Sequence, residues 1–288
     1  MNNTSNNVNS TFPKTQKKLI IAEKPSVGKT YANILGVTQM KDGYMESDTW
    51  IVTWSVGHLI ELSYPEAYDP ALKKWAMETL PFLPERYKYN VISSVRKQFN
   101  VVKSLYNRSD IETIYYAGDS GREGLYIQML IRMVAGHKKG VEEKVVWIDS
   151  QTKETVLNGI RDAKPLSAYN NLTAAGYMRG IEDYSLGINF SRILSLLYGA
   201  KINAEVGTAK YTPVAVGRVM TCVLGMIVAR ETEIKDFVST TFYKIANQIE
   251  VDGNVIKGEW KVTDKSLMKN SPKLYGDNGF LSKEHKEQ

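Results

Sequence analysis

Two apolar, β-prone runs in this chain each end on an acidic residue at the mouth of a helix-forming segment. Leu19 to Ala22 leads into Glu23 within IAEKPSVGKT, and Glu112 to Ala117 leads into Asp119, Arg122 and Glu123 within YYAGDSGREGLYIQ. Acidic groups at two strand ends can meet at the carboxyl edge of one parallel sheet, where open α/β folds place their ligands. Three carboxylates gathered there (Glu23, Asp119 and Glu123) repel one another unless a hard cation holds them. Mg²⁺ takes few carboxylates and completes its shell with water and phosphate oxygens. The local reading is a Mg²⁺ site that handles a phosphate.

The surrounding pattern is α/β. Strands are expected over Lys18 to Ala22, Thr49 to Ser55, Glu112 to Ala117 and Lys144 to Ile148. Helices are expected over Ser26 to Leu35, Val95 to Tyr106 and Arg122 to Val134. Strands alternating with helices argue for a mostly parallel sheet covered on both faces. Tyr64 to Pro84 holds Pro65, Pro70, Pro81 and Pro84 among aromatics, which predicts an ordered loop packed over the sheet. After Asp149 the pattern turns helical, over Thr152 to Asp162, Leu166 to Leu197 and Gly217 to Phe237. Phe242 to Val251 and Val255 to Val262 then alternate like a hairpin about Asp252-Gly253. Thr263 to Gln288 is polar, with no packing partner evident in the sequence, so the chain is expected to stop part-way through a β-rich domain.

Composition narrows the class. Of 288 residues, 43% are hydrophobic and 24% charged, as in an ordinary globular protein. A net charge of +6 permits a polyanionic partner without demanding one. Cys222 is the single cysteine, so an internal disulfide is excluded. Met1 to Lys18 has no signal-peptide core, and the apolar run Val223 to Ala229 is too short to span a bilayer. A cytoplasmic protein is expected, with a disordered tail over residues 1–16.

Several motifs have ordinary structural explanations. EKPSVGKT suggests a P-loop, but Glu23 occupies the place where that loop needs its first glycine, and a carboxylate there opposes a triphosphate. Asp119 can be a helix N-cap, with Arg122 and Glu123 as first-turn surface charges. Gly118, Gly121 and Gly124 would keep the turn open to a bulky ligand. His58, in SVGHLIEL, is read as structural. Arg179 and Asp183 stand four residues apart and can simply pair along a helix. Arg218, after Gly217, sits at a helix start suited to gripping a phosphate, or is a solvated charge.

Together the blocks IAEKPSVGK, SVGHLIEL, YAGDSGREG, WIDSQT, AGYMRGIEDYSLGINFSR and VGRVMTCVLGMIVARETEI resemble the N-terminal part of type IA DNA topoisomerases, most closely the bacterial topoisomerase III-like enzymes. They run in that family's order from Lys18 to Phe237. The resemblance implies a Toprim domain over 17–150, a helical segment lining a single-stranded DNA groove over 151–237, and an incomplete β-rich domain over 238–288. It implies an isomerase that cuts and religates one DNA strand through a 5′-phosphotyrosine, with Mg²⁺ and without ATP. Glu23, Lys24 and Arg122 would be catalytic: Glu23 serving the departing 3′ oxygen, Lys24 and Arg122 stabilising charge at the scissile phosphate. Glu23, Asp119 and Glu123 would hold the metal, and Arg179, Asp183, Arg192 and Arg218 would face DNA.

This chain departs from the pattern. Gly121 stands where the family's acidic motif has its second aspartate, Leu125 where it has its final glutamate, and Met220 replaces a usual glutamine. The family's tyrosine block is missing, and Ser63-Tyr64-Pro65 is followed by Glu66, the wrong neighbour for a tyrosine that attacks phosphate. No nucleophile is therefore expected in this chain, and the isolated chain is expected to be inactive. Two other classes remain: an inactive single-stranded-DNA-binding remnant, and a Toprim nuclease or primase-like enzyme in which water or a nucleotide replaces tyrosine.

Overall fold

A computed structural model describes residues 16–136 and 139–284, so the expected disordered tail lies outside the described residues except for Gln16. It divides into two compact units, up to Thr221 and from Cys222 onward.

The first unit is built on strand β1 (Lys17–Ala22), whose side chains are divided between two cores. Leu19 and Ile21 enter one and Ile20 and Ala22 the other, each fully buried, as the two-residue strand period requires. Pro25 opens α1 (Pro25–Ile34) in the first helical turn, where its missing N–H costs nothing. A hairpin of β2 (Gln39–Lys41) and β3 (Tyr44–Glu46) precedes β4 (Trp50–Trp54). Next come the short antiparallel pair β5 (Ile60–Leu62) and β6 (Tyr89–Val91), α2 (Arg96–Tyr106), β7 (Ile111–Ala117) and α3 (Arg122–Ala135). The unit continues with β8 (Glu142–Val145), α4 (Lys153–Arg161), β9 (Lys164–Pro165) and α5 (Asn170–Val206).

The seven-stranded sheet runs β2-β3-β4-β1-β7-β8-β9. Its middle pairings, β4 with β1, β1 with β7 and β7 with β8, are parallel, and the outer ones antiparallel. Helices α2 and α3 cover one face, while α1 and Val156 of α4 cover the other. Gly28 explains why α1 lies so close to β4: a Cβ there would stand 2.6 Å from the Trp54 ring. This helix contact accounts for the glycine of EKPSVGKT, with no phosphate required.

Four expectations shift. The strand expected over Lys144 to Ile148 starts two residues earlier and ends at Val145. The β2–β3 hairpin went unforeseen because its strands are short and mostly solvent-facing. Helix α5 runs past Leu197 to Val206, where Gly207 closes it in the left-handed region (φ 68°). Gly199 lies inside it, with the Tyr211 side chain occupying the space a Cβ would need. The proline-rich loop packs on α5 rather than over the sheet. Asn189 accepts the Phe82 N–H (2.5 Å) and donates to the Phe82 carbonyl (3.0 Å), and Tyr184 Oη donates to Ser63 O (2.8 Å).

Helix α6 (Arg218–Lys235) passes the boundary between the units. In the second unit β10 (Ala246–Val251) and β11 (Asn254–Glu259) form the expected hairpin, with positive φ at both Asp252 and Gly253. The polar stretch beyond it does find a partner. Strands β12 (Leu274–Tyr275) and β13 (Gly279–Phe280) pair, Phe280 bridges Tyr243, and its buried ring stacks on Trp260 at 4.9 Å. Two aromatic contacts in a polar tract carry this packing, which overall polarity conceals. No described helix is long and apolar enough to cross a membrane.

Beside α3, Glu143 receives hydrogen bonds from Arg132 (2.8 and 2.9 Å), Tyr116 Oη (2.6 Å) and Tyr106 Oη (3.0 Å). Burial pushes its carboxyl up, but the bonds from Arg132 and Tyr116 outweigh it and hold the group below its ordinary value. A depressed carboxylate stabilises the fold above its unfolded pKa of about 4.3 and loses that contribution as pH falls through the lower folded value. Glu143→Gln should cost about 1–3 kcal/mol at neutral pH by removing the charged acceptor of the Arg132, Tyr116 and Tyr106 bonds. Thermal melts from pH 7 to 3 should show the deficit against the unmodified chain shrinking at the acid end.

Candidate functional site

The parallel pairing of β1 with β7 sets Ala22 opposite Ala117, so the residues that follow each strand emerge side by side. Glu23 Oε2 accepts the backbone N–H of Asp119 at 2.7 Å. Asp119 itself is exposed, and neither carboxylate enters an ion pair with any described residue. Two of the three expected acids are thus neighbours at the sheet edge. The third, Glu123 in the first turn of α3, points elsewhere: its Oε1 lies 2.8 Å from His58 Nε2. Among the described residues no group of three or more histidine, cysteine, aspartate or glutamate side chains converges as a metal cage. Lys24 and Arg122 are exposed at the starts of α1 and α3.

The acidic turn separates two clefts of about 540 Å³ each. One is lined by His58, Tyr64, Glu123, Arg179 and Asp183, over an apolar floor that includes Ile60 and Leu130. The other lies against Tyr31, Asp119, Ser120 and Asp149. The glycines of the turn work differently from the expectation. A Cβ on Gly124 would stand 2.2 Å from the Asp119 carbonyl, and one on Gly118 would stand 2.9 Å from the Gly124 carbonyl. These two let the turn fold tightly onto the first turn of α3; only Gly121 faces open space.

On α5, Arg179 grips both oxygens of Asp183 (3.0 and 2.8 Å) and reaches Glu182 at 2.9 Å. Arg218 Nε donates to the same Asp183 at 3.1 Å, so Arg179, Asp183 and Arg218 form one cluster. Gly176 and Gly180 let α5 approach α3 closely, since a Cβ on Gly180 would stand 2.4 Å from Tyr126 Oη. Arg192 is the exception among the residues expected to face DNA. It is only 2% exposed, donates to Leu72 O at 3.1 Å, and lies over the Trp75 ring at 5.3 Å. Burial pulls its guanidinium below its ordinary value, with Glu66 and Tyr184 opposing. Its place is inside the clamp on the proline-rich loop, not on a solvent-facing groove.

What sequence reasoning missed is the distant partners of His58 and Asn189, namely Glu123 and the Phe82 backbone. His58 had a signal in its position just after an apolar strand, but nothing nearby in sequence announced Glu123. Tyr64, read as structural, is 57% exposed and lines the first cleft.

An acid-edged parallel sheet thus continues into a long helix notched by glycines. Residues 18–149 match the Toprim domain family and residues 167–275 the DNA topoisomerase family. The chain is 41% identical over 233 residues to DNA topoisomerase 3 of Bacillus cereus, an alignment covering 81% of this chain and 30% of the relative. It is 40% identical over 246 residues to DNA topoisomerase 3 of Bacillus thuringiensis, covering 85% and 31%. Against DNA topoisomerase 3 of Staphylococcus epidermidis it is 38% identical over 237 residues, covering 82% and 31%. The two family matches and these relatives together support a type IA, topoisomerase III-like portion, and the chain spans about a third of the length of the curated relatives it matches.

Arg192→Ala should lower stability by about 2 kcal/mol through the stranded Leu72 carbonyl and the lost ring contact. The salt dependence of single-strand binding, measured by fluorescence anisotropy, should be unchanged. A slope reduced by one phosphate contact would return Arg192 to the DNA-facing set.

Proposed function

We propose that this chain is the metal- and DNA-handling portion of an enzyme that transiently cuts and rejoins one strand of DNA, changing linking without ATP. The observation that carries the reading is the juxtaposition of Glu23 and Asp119 by β1 and β7, inside a stretch that matches the Toprim family. The donor set suits Mg²⁺, which needs only one or two carboxylates and takes its remaining oxygens from water and phosphate. Asp119 would hold it, Glu123 would join once released from His58, and Glu23 would stand beside the ion with its proton-carrying role left free. When bound, the ion would neutralise the backbone phosphates beside the scissile one.

The chain's own residues supply the rest. Lys24 and Arg122, both free of ion pairs among the described residues, would stabilise charge at the phosphate undergoing displacement, each worth about 3–4 kcal/mol in a preorganised site. Glu23 would hand a proton to the departing 3′ oxygen and recover it on religation. Arg179 and Arg218 hold Asp183 at the mouth of the first cleft, a mixed-charge edge suited to a single strand whose phosphates meet arginine. The domain boundaries of this reading are a Toprim domain over 17–150, a groove-lining helical segment over 151–237 and a β-rich segment from 238. A cytoplasmic setting follows from DNA as substrate.

The first test is relaxation of negatively supercoiled plasmid by the purified chain, with and without Mg²⁺. Mg²⁺-dependent relaxation would place a working nucleophile among the seventeen tyrosines here, with exposed Tyr64 the first to substitute. No relaxation, with Mn²⁺ and single-strand binding retained, supports strand cutting by a tyrosine elsewhere in the enzyme. Loss of all three overturns the reading. Where the enzyme is active, Glu23→Gln should abolish cleavage and spare DNA affinity, because the amide oxygen still accepts the Asp119 N–H. Equal loss of both would remove Glu23 from the chemistry.

A further inference from the structure

Gln128 lies on α3 one turn beyond Leu125 and is 1% exposed. Neither its Nε2 nor its Oε1 has a hydrogen-bond partner among the described residues. A buried amide with both ends unmet costs several kcal/mol against an apolar side chain of the same shape, so it calls for a partner. The amide borders a small internal cavity, about 10 Å³ of space open to the centre of a water, which Gly118, Asp119 and Trp147 also line. That is close to the minimum that admits one water molecule. The cavity lies directly under the acidic turn: a Cβ on Gly118 would touch Gln128 Cγ at 3.3 Å.

The same face of α3 carries one of this chain's departures. Leu125, standing where the related motif has its final glutamate, is buried and lines the cavity with Gln128. Positions three apart share a helix face. A polar group has thus left one position and another stands a turn further on, still aimed beneath the turn.

We propose that Gln128, with one bound water in this cavity, is a positioning residue that anchors the Gly118–Asp119 turn from below. Its amide and the water give the turn's backbone a second tether, complementing the one that Glu23 provides to the Asp119 N–H from the sheet edge. A bridging water is enthalpically nearly as good as a direct hydrogen bond, against a modest entropic cost of immobilisation. The consequence is that Asp119 would be held in place before any metal arrives. The inference rests on the proposed role of the acidic turn for its functional meaning, but its test needs neither metal nor DNA.

The test is amide hydrogen exchange of the full chain, comparing Gln128→Met with the unmodified protein. Methionine fills the space and removes the amide together with its water, so the unfolding midpoint should change little. Exchange over residues 117–124 should quicken at least about tenfold, while the β1 and β4 peptides stay protected. Unchanged exchange in the turn overturns the inference. So does a lowered midpoint with exchange rising across the whole sheet, which marks Gln128 as plain core packing. A high-resolution crystal structure of the unmodified chain provides an independent check. An ordered water within hydrogen-bond distance of the Gln128 amide is expected, and a dry cavity overturns the proposal. Absent Mn²⁺ binding in the unmodified protein would count against the metal reading alone, leaving the exchange result to judge the anchor.

Discussion

The parallel register of β1 against β7 is the constraint on which the rest of this structure depends. With Ala22 opposite Ala117, the next residues of two distant segments come out at one edge, and the Glu23 carboxylate reaches the Asp119 amide. Shift that pairing by one residue and every side chain of β1 changes core, so Leu19 and Ile21 would exchange faces with Ile20 and Ala22. The hydrophobic burial that fixes the fold therefore also fixes the distance between the acids. Packing and chemistry are set by the same pairing.

Around that edge, glycines decide how near the covering layers come. Gly28 lets α1 rest on Trp54, Gly124 lets the acidic turn close on α3, and Gly176 with Gly180 seat α5 over Tyr126. Each replaces a side chain that the neighbouring backbone or ring would not admit. Glycines that look like phosphate-loop or open-turn signals in the linear motif are mostly packing devices in the folded chain.

The regular part of the fold was legible in the sequence because it rests on local signals. Unbroken apolar runs marked β1, β4 and β7, helical periodicity marked α2 and α3, and Asp252-Gly253 marked the hairpin. What escaped depends on contacts far apart in sequence. The clamp on the proline-rich loop joins Asn189 to Phe82 and Arg192 to Leu72, across 107 and 120 residues, and no local pattern announces such partners. Arg192 shows the limit most clearly: an arginine in a motif reads as a charge for solvent, yet among the described residues it is the largest fully buried side chain. Likewise, Glu123 was legible as an acid of the site, whereas its engagement with His58 emerges only when β5 approaches α3.

The burial of α3 on both sides has a mechanical consequence. Helix α2 and the sheet hold it from one direction and α5 from the other, while its first turn carries the acidic loop. Displacing that loop by even an ångström would strain a close-packed interior of low compressibility. The acidic turn is therefore an anvil and not a hinge. On the proposed reading, any opening that admits a strand would be taken up by less encased parts of the chain, with the acidic edge standing still while its surroundings give way.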